Sequence, residues 1–347
     1  MWYAAAMSYP ALDQLPAPPA GRSGWPWTDG GSAGDGNGPA SPTPSITVVI
    51  PSYQQGEFLE ETLRSVILQA YPAIEILVMD GGSTDRSVEV LRRYEKWITA
   101  WVSEPDGGQT AAINKGWRRA EGEYLTWLNS DDVLSPGWAK AMAGALHADE
   151  SVDLTYCDVQ TIDSQSRPLW VYPGEVPTVE QIAVYWKTTF AQQGFLMRRR
   201  VLDACGYLDE QRHFAMDTEY WLRLLLAGRT FRHVPQILGS LRLHEATKTS
   251  TMHGVHVADL LEVSAQFCRT APPEMQDLVR RARERVHWNE AHAKYDGRVH
   301  AEARRSALKY LRDGGPRVLP QVCAMVALSC LGEPGHQILG LFRRLRS

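Results

Sequence analysis

The chain has 347 residues, 44% of them hydrophobic, enough for one large catalytic domain with a smaller appendage. Its formal charge is −4, but residues 280 to 347 hold 14 Lys and Arg against 6 Asp and Glu, leaving −12 on the body. An acidic body argues against broad nucleic-acid binding through phosphates, whereas the basic tail reads as solvated helix faces or as a surface for an anionic membrane or a protein. Cysteines 157, 205, 268, 323 and 330 are odd in number and lack CxxC spacing, which supports neither a disulfide framework nor a zinc site. The N-terminus has no basic start and no long apolar stretch of the signal-peptide kind, so a cytoplasmic location is expected.

Residues 1 to 44 are dense in Pro, Gly, Ser and Ala and predict a disordered segment. Its one anomaly is Gly24-Trp25-Pro26-Trp27-Thr28, where two tryptophans offer a way to dock back on a folded domain. From Ile46 a strand, helix, strand pattern begins. Ile46 to Ile50 reads as a buried strand, Leu59, Leu63, Val66 and Ile67 recur at helical spacing, and Ile74 to Met79 forms the next strand. Val88, Leu91 and Tyr94 mark a second helix, Ala111 to Ala120 a third, and Tyr124 to Leu128 another strand. This alternation predicts an α/β fold with a largely parallel sheet. Beyond it come a strand at Leu154 to Cys157, a loop-rich stretch from Ser164 to Thr189, and a helix carrying Trp221, Leu222, Leu225 and Leu226. A strand at Phe231 to Val234 and the segment Arg242-Leu243-His244 follow, and residues 257 to 312 have helical periodicity. The apolar run Val318 to Leu331 contains Pro320 and Gln321 and is too short to span a bilayer.

The strands of the first half end in polar or acidic segments: Pro51-Ser52-Tyr53, Asp80-Gly81-Gly82-Ser83-Thr84-Asp85, and Glu104-Pro105-Asp106-Gly107-Gly108. In open α/β sheets ligands gather outside the carboxyl ends of such strands, so one shared crevice explains all three. Asp80 has the chemistry to accept from a base N–H or a ribose hydroxyl, and Gly81 and Gly82 allow a tight turn. Neither GxGxxG nor GxxxxGK[ST] follows the first strand, so a bound diphosphate needs other charge compensation. Asp131 and Asp132 supply it if they hold Mg²⁺ or Mn²⁺, since adjacent carboxylates repel unless a cation or donors compensate. The competing reading is a helix cap for a helix beginning near Pro136, with Ser135 as a rival. For Asp217, at the start of an apolar helix, the cap is the simpler reading of the residues alone.

The order of these segments resembles the family 2 inverting glycosyltransferases, whose catalytic domain has the nucleotide-diphospho-sugar fold called GT-A. The likeness runs over roughly residues 45 to 250. Ile46 to Gly56 is similar to their opening strand and nucleotide loop, with Pro51 and Tyr53 toward the nucleotide, and Met79 to Asp85 to their second strand end, where the aspartate serves the base. Ser103 to Gln109 followed by Ala112-Ile113-Asn114-Lys115-Gly116 resembles the branch in which an aspartate and a lysine, here Asp106 and Lys115, face the nucleotide-sugar. Trp127-Leu128-Asn129-Ser130-Asp131-Asp132 falls where the family's metal-binding DxD lies, with Asn129 in place of the first acid. The resemblance implies Asp131 as direct metal ligand, with Asp132 beside it and Asn129 and Ser130 near the ribose or diphosphate. It also implies Asp217 as the base that takes the acceptor's proton, with Glu219 as fallback, and makes Gln192-Gln193-Gly194 the acceptor-side loop. Leu241 to His244 with Lys248 and Thr249 resembles the closing segment, with His244 at the metal or diphosphate and Arg242 neutralising the leaving group.

The expected function is therefore inverting, metal-dependent transfer of a sugar from a UDP-, GDP- or dTDP-sugar to a hydroxyl of a polysaccharide, glycolipid or lipid-linked glycan. A nucleotidyltransferase shares such a crevice but usually shows a basic Gly-rich loop after strand one, where Ser52-Tyr53-Gln54-Gln55-Gly56 is poor in basic residues. A non-catalytic protein retaining the fold is a third class, opposed by the presence of both Asp131 and Asp217. The domain expectations are a disordered segment to residue 44, a GT-A domain over 45 to 250 and a mainly helical extension over 251 to 347. That extension either packs on protein or rests on the inner membrane face.

Overall fold

A computed structural model describes residues 10–31, 43–187, 189–245, 253–296 and 303–308. Lys248, Thr249 and the apolar run Val318 to Leu331 lie outside the described residues. The chain divides into two compact units. The first comprises Met1–Pro177, Thr189–Gln211 and Arg223–His244, and the second Thr178–Thr188, Arg212–Leu222 and Glu245–Ser347. The second unit thus takes two segments from inside the span that the sequence groups into one domain.

In the first unit, four apolar runs form parallel strands. They are β1 (Ile46–Ser52), β2 (Ile74–Asp80), β3 (Ala100–Ser103) and β4 (Tyr124–Trp127), paired in the order β3-β2-β1-β4. β1 and β4 are buried along their whole length, as expected of strands covered on both faces. The intervening helices are α1 (Leu59–Ile67), α2 (Ser87–Tyr94) and α3 (Gln109–Arg119). After β5 (Val133–Leu134) and α4 (Trp138–His147), the sheet becomes mixed through β6 (Leu154–Ile162), β7 (Pro168–Tyr172), β8 (Leu196–Arg198), which runs directly into α5 (Arg199–Cys205), and β9 (Phe231–Arg242). β8 joins β4 and β6 antiparallel, β9 runs parallel to β6, and β5 and β7 pair antiparallel with β9 and β6.

Two differences from the sequence expectation have local causes. β9 is one long strand where a short strand and a separate segment were expected. Its ladder to β6 slips between Val234 and Ile237, across Pro235, which has no N–H to donate. β7 lies in the predicted loop region. Leu169, Trp170 and Val171 are each more than 40% exposed, so no alternation marked it as a strand.

The third difference is the N-terminal segment. An amphipathic helix should leave one face wet, yet all nine residues of α1 are buried, Glu60, Glu61 and Arg64 included. Residues 10–31 account for part of that cover. Arg64 gives Nε to the carbonyl of Pro26 at 2.9 Å, Nη1 to that of Pro16 at 2.9 Å and Nη2 to that of Trp27 at 3.1 Å. Trp27 is buried under the Arg64 guanidinium, and Trp25 donates its indole N–H to the Leu134 carbonyl at 2.8 Å. This part of the Pro/Gly-rich stretch is held by side chains that collect its carbonyls, a kind of order that composition does not register.

The second unit is built around two helices, His253–Thr270 and Gln276–Asp296. A π-helical turn at Glu180–Val184 packs against them, and the unit also takes in the first turns of α6 (Met216–Leu226). The Ser264 hydroxyl donates to the Ala183 carbonyl at 3.0 Å and accepts from the Trp186 indole at 3.0 Å. Asn289 donates to the Val184 carbonyl at 2.7 Å. Among the described residues, no helix is long and apolar enough to cross a membrane.

Candidate active site at the strand ends

Strand register brings the polar ends to one level, because Ser52 is paired with Asp80 and Asp80 with Ser103. Asp80 is 1% exposed. Its carboxylate accepts from the Ser83 backbone N–H at 2.9 Å and from the hydroxyls of Ser83 and Ser103, each at 2.6 Å. Asp80, expected to accept from the nucleotide, is thus committed to shaping the turn after β2. Gly82 takes φ +81° in that turn, a conformation that glycine adopts without strain. A Cβ on Gly81 would lie 3.2 Å from both carboxylate oxygens of Asp106, so Asp106, which is exposed, stands beside the end of β2. Pro51 is buried within β1, and Tyr53 just beyond it is 62% exposed. The Gln54 and Gly56 amides donate to the Ser83 hydroxyl and the Asp85 carboxylate, at 2.8 and 2.7 Å.

The two adjacent acids face different surroundings. Asp131 is partly open, and its Oδ2 lies 3.1 Å from Nε2 of His244. Asp132 is 1% exposed and does not share that edge. Its Oδ2 accepts from the side-chain amides of Asn129 at 3.0 Å and Gln193 at 2.8 Å, and its Oδ1 accepts from the Arg242 backbone N–H at 3.0 Å. Burial first, and then the charge of Asp131, push the Asp132 pKa up to about 8. Asp132, expected as a metal ligand, is an internal acceptor that fixes three chain segments. Its backbone belongs to the same framework, since the Thr62 hydroxyl meets the carbonyls of Ser130 at 2.9 Å and Asp132 at 2.8 Å. Ser130 itself is buried. Asn129 bridges outward, its Oδ1 accepting from Gln109 at 2.6 Å.

Arg242 also departs from its expected role. The sequence places it against the leaving group, but its side chain is fully buried. Its Nε donates to the Asp131 carbonyl at 2.7 Å, and its Nη1 to the Asp163 carbonyl at 3.1 Å and the Ser166 hydroxyl at 2.9 Å. Its Nη2 lies 3.0 Å from the buried Glu61 carboxylate. A guanidinium so engaged supports the loop and does not meet ligand. Lys115, on α3, is ion-paired with Glu104, whose carboxyl the lysine holds below the usual range. Sequence reasoning passed over Glu61, which looked like the polar face of an amphipathic helix, and Gln109, whose contact with Asn129 only the fold reveals. Asn114 was read as part of the nucleotide branch. Its side chain instead exchanges hydrogen bonds with the backbone of Leu208, at 2.9 and 3.1 Å, and donates to Glu210.

Asp217 belongs to the second unit. It lies in the first turn of α6, one residue past the helix start, and its Oδ1 accepts from the Thr218 backbone N–H at 2.7 Å. Asp259 accepts through Oδ2 from the backbone N–H groups of His213, Phe214 and Ala215, the three residues before the helix, at 3.0, 2.8 and 3.3 Å, and so anchors the entry to α6. Glu219, the fallback base, is buried.

Donor chemistry tests whether a divalent cation fits at Asp131. Two neighbouring ligands on an octahedral cation with bonds of about 2.1 Å stand about 3.0 Å apart, close to the 3.1 Å between Asp131 Oδ2 and His244 Nε2. Among the described residues no cluster of three or more His, Cys, Asp or Glu side chains is suited to hold a metal by itself. The two groups are hydrogen-bonded to each other; the carboxylate suits Mg²⁺ or Mn²⁺ while the imidazole is a less usual ligand for such hard cations, so the rest of the sphere would come from water and substrate phosphate.

Residues 47–206 match the Glycosyl transferase family 2 model, and the mixed sheet flanked by helices is the fold of solved GT-A glycosyltransferases. The chain thus carries a glycosyl transferase family 2 domain. An uncharacterized glycosyltransferase of Rickettsia typhi is 26% identical over 216 residues, covering 60% of this chain and 67% of that protein. The putative teichuronic acid biosynthesis glycosyltransferase TuaG of Bacillus subtilis is 37% identical over 92 residues, 26% of this chain and 36% of its own length. Among solved structures, the mannosyltransferase PcManGT from Pyrobaculum calidifontis, in complex with GDP-Man and Mn²⁺, superposes with a TM-score of 0.56. It shares 18% identity, over 86% of this chain and 83% of its own. TarS 1-349 of S. aureus in complex with UDP-GlcNAc gives a TM-score of 0.51 at 17% identity, over 80% of this chain and 92% of its own.

Proposed function

We propose that the chain transfers a sugar, with inversion, from a nucleotide-diphospho-sugar to a hydroxyl acceptor, and that it does so with Mg²⁺ or Mn²⁺. The observation that carries this reading is the Asp131–His244 pair, an oxygen and a nitrogen at ligand spacing beside the aligned strand ends. Asp131 and His244 would hold the cation, which when bound offsets the negative charge of a departing diphosphate. Tyr53 and Asp106 are the exposed groups that would meet the nucleotide at the ends of β1 and β2, with Asp80, Asn129 and Ser130 shaping the floor behind them. Asp217 is the base: it takes the acceptor hydroxyl proton as that oxygen bonds to the anomeric carbon and the nucleoside diphosphate leaves from the opposite face. What supports this role is the place of Asp217 in the first turn of α6, within the segment that resembles the family's base-bearing helix.

The neighbours' GDP-Man and UDP-GlcNAc ligands support a nucleotide-sugar donor. A nucleotidyltransferase reading gains nothing from the loop after β1, where the Gln54 and Gly56 amides are bonded to Ser83 and Asp85 and form no phosphate cradle. The acceptor class we propose is a glycan or lipid-linked glycan, with the protein acting in the cytoplasm and its C-terminal extension making peripheral contact with the inner membrane face. A panel of UDP-, GDP- and dTDP-sugars, screened for Mn²⁺-dependent hydrolysis and thermal stabilisation, tests the reading. Stabilisation by one base series that EDTA abolishes supports it, and equal indifference to all donors with Mn²⁺ present refutes it.

A further inference from the structure

We propose that Glu61 and Arg242 form a buried positioning pair that sets the Asp131–His244 edge. The inference rests on the reading of that edge as the donor-metal site. Arg242 is the last residue of β9 and stands two residues before His244, and its side chain is fully buried. One guanidinium holds the Asp131 carbonyl, the Asp163 carbonyl and the Ser166 hydroxyl, while the same residue's backbone N–H holds Asp132. Glu61, also buried, lies 3.0 Å from Nη2 and accepts from the Ser166 hydroxyl at 2.7 Å. The Phe58 ring completes the arrangement, with the Arg242 guanidinium 4.9 Å from its centre and the His244 ring 4.7 Å away. Arg242 therefore fixes both ends of the edge, Asp131 through its carbonyl and His244 through chain continuity and the shared ring.

The chemistry selects arginine here. Its planar fork donates in several fixed directions at once, whereas a lysine ammonium is a point charge on a flexible stem. A charge buried this fully persists only when it is paired and hydrogen-bonded, and Glu61 supplies that partner from α1. Were the pair merely a strut, its loss would lower stability and leave the ligand edge of the surviving folded molecules unchanged. A positioning role instead moves metal affinity, as groups that orient metal ligands commonly do by about 10- to 100-fold.

The test is calorimetric titration of Mn²⁺ into the full chain with UDP and, in parallel, with GDP, each variant first checked for folding by circular dichroism. Arg242→Lys and Glu61→Gln are expected to weaken Mn²⁺ binding by about 10- to 100-fold. In transfer assays the donor KM should rise while kcat stays within about threefold, since the chemical groups are untouched. Ser166→Ala, which deletes a single hydroxyl from the network, carries the test if the larger changes unfold the chain, and a weakening of severalfold is expected. Wild-type Mn²⁺ affinity in folded Arg242→Lys, or in Ser166→Ala where only that variant folds, overturns the proposal if Asp131→Asn has lost binding. Wild-type affinity in Asp131→Asn itself overturns the metal reading beneath it.

Discussion

Asp131 and Asp132 are neighbours in sequence, and so nearly are Arg242 and His244, yet each pair is split between two environments. Asp131 and His244 form a partly open edge of 3.1 Å, while Asp132 and Arg242 lie behind it, buried and held by several internal partners. The difference teaches that charge at a strand end does two jobs. In the proposed reading one set of groups meets ligand, and the other meets its desolvation cost with hydrogen bonds so that the first is held still. A count of acids and bases near the site assigns all four to ligand; the buried half belongs to the framework.

The comparison is broken most decisively by truncation on each side. Arg242→Ala should cost about 3 kcal/mol of stability, because it removes the nearer cation from the buried Glu61 carboxylate, leaving Arg22 at 3.5 Å, and strips three hydrogen-bond acceptors of their donor. Asp131→Ala, on the open side, should keep stability within about 0.5 kcal/mol while losing Mn²⁺-dependent donor binding. Urea unfolding and calorimetry of the two variants decide this, and a reversed outcome would erase the distinction. Next in size is Asp132→Asn. Its new amide turns a donor toward groups that already donate from Gln193, Asn129 and the Arg242 backbone, at a cost of about 1–3 kcal/mol by thermal melting. Smaller still is Trp25→Phe, which removes one hydrogen bond to the Leu134 carbonyl and should cost about 1 kcal/mol. A loss of that size would show that residues 10–31 buttress the acid-bearing loop in solution. Lys115→Gln, at a partly exposed ion pair, should leave the melting temperature unchanged and report only on donor KM.

The first half of the sheet was legible because β1, β2 and β4 are short apolar runs, and parallel strands covered on both faces have to be. The strand-end acids were legible for the same reason, since each follows such a run directly. β7 was not, because Leu169, Trp170 and Val171 face solvent, and β8 spans only three residues. The N-terminal segment was misread because its order comes from Arg64 collecting the carbonyls of Pro16, Pro26 and Trp27, a contact between distant parts of the chain. Arg242 was misassigned on similar grounds. Its chemistry suits a diphosphate, and only the fold shows that Ser166 and two carbonyls take its Nε and Nη1 donors while Glu61 meets its charge. For Asp217 the apolar helix that follows it was legible, whereas the anchoring of the preceding residues by Asp259 was not, because that contact joins distant parts of the chain.

The central claim is that Asp131, with His244, makes a cation-dependent donor site. Its most direct test is Mn²⁺ titration of wild type and Asp131→Asn in the presence of UDP or GDP. The account predicts a single Mn²⁺ site in the wild type that Asp131→Asn loses while remaining folded. Undiminished Mn²⁺ binding in Asp131→Asn would contradict it.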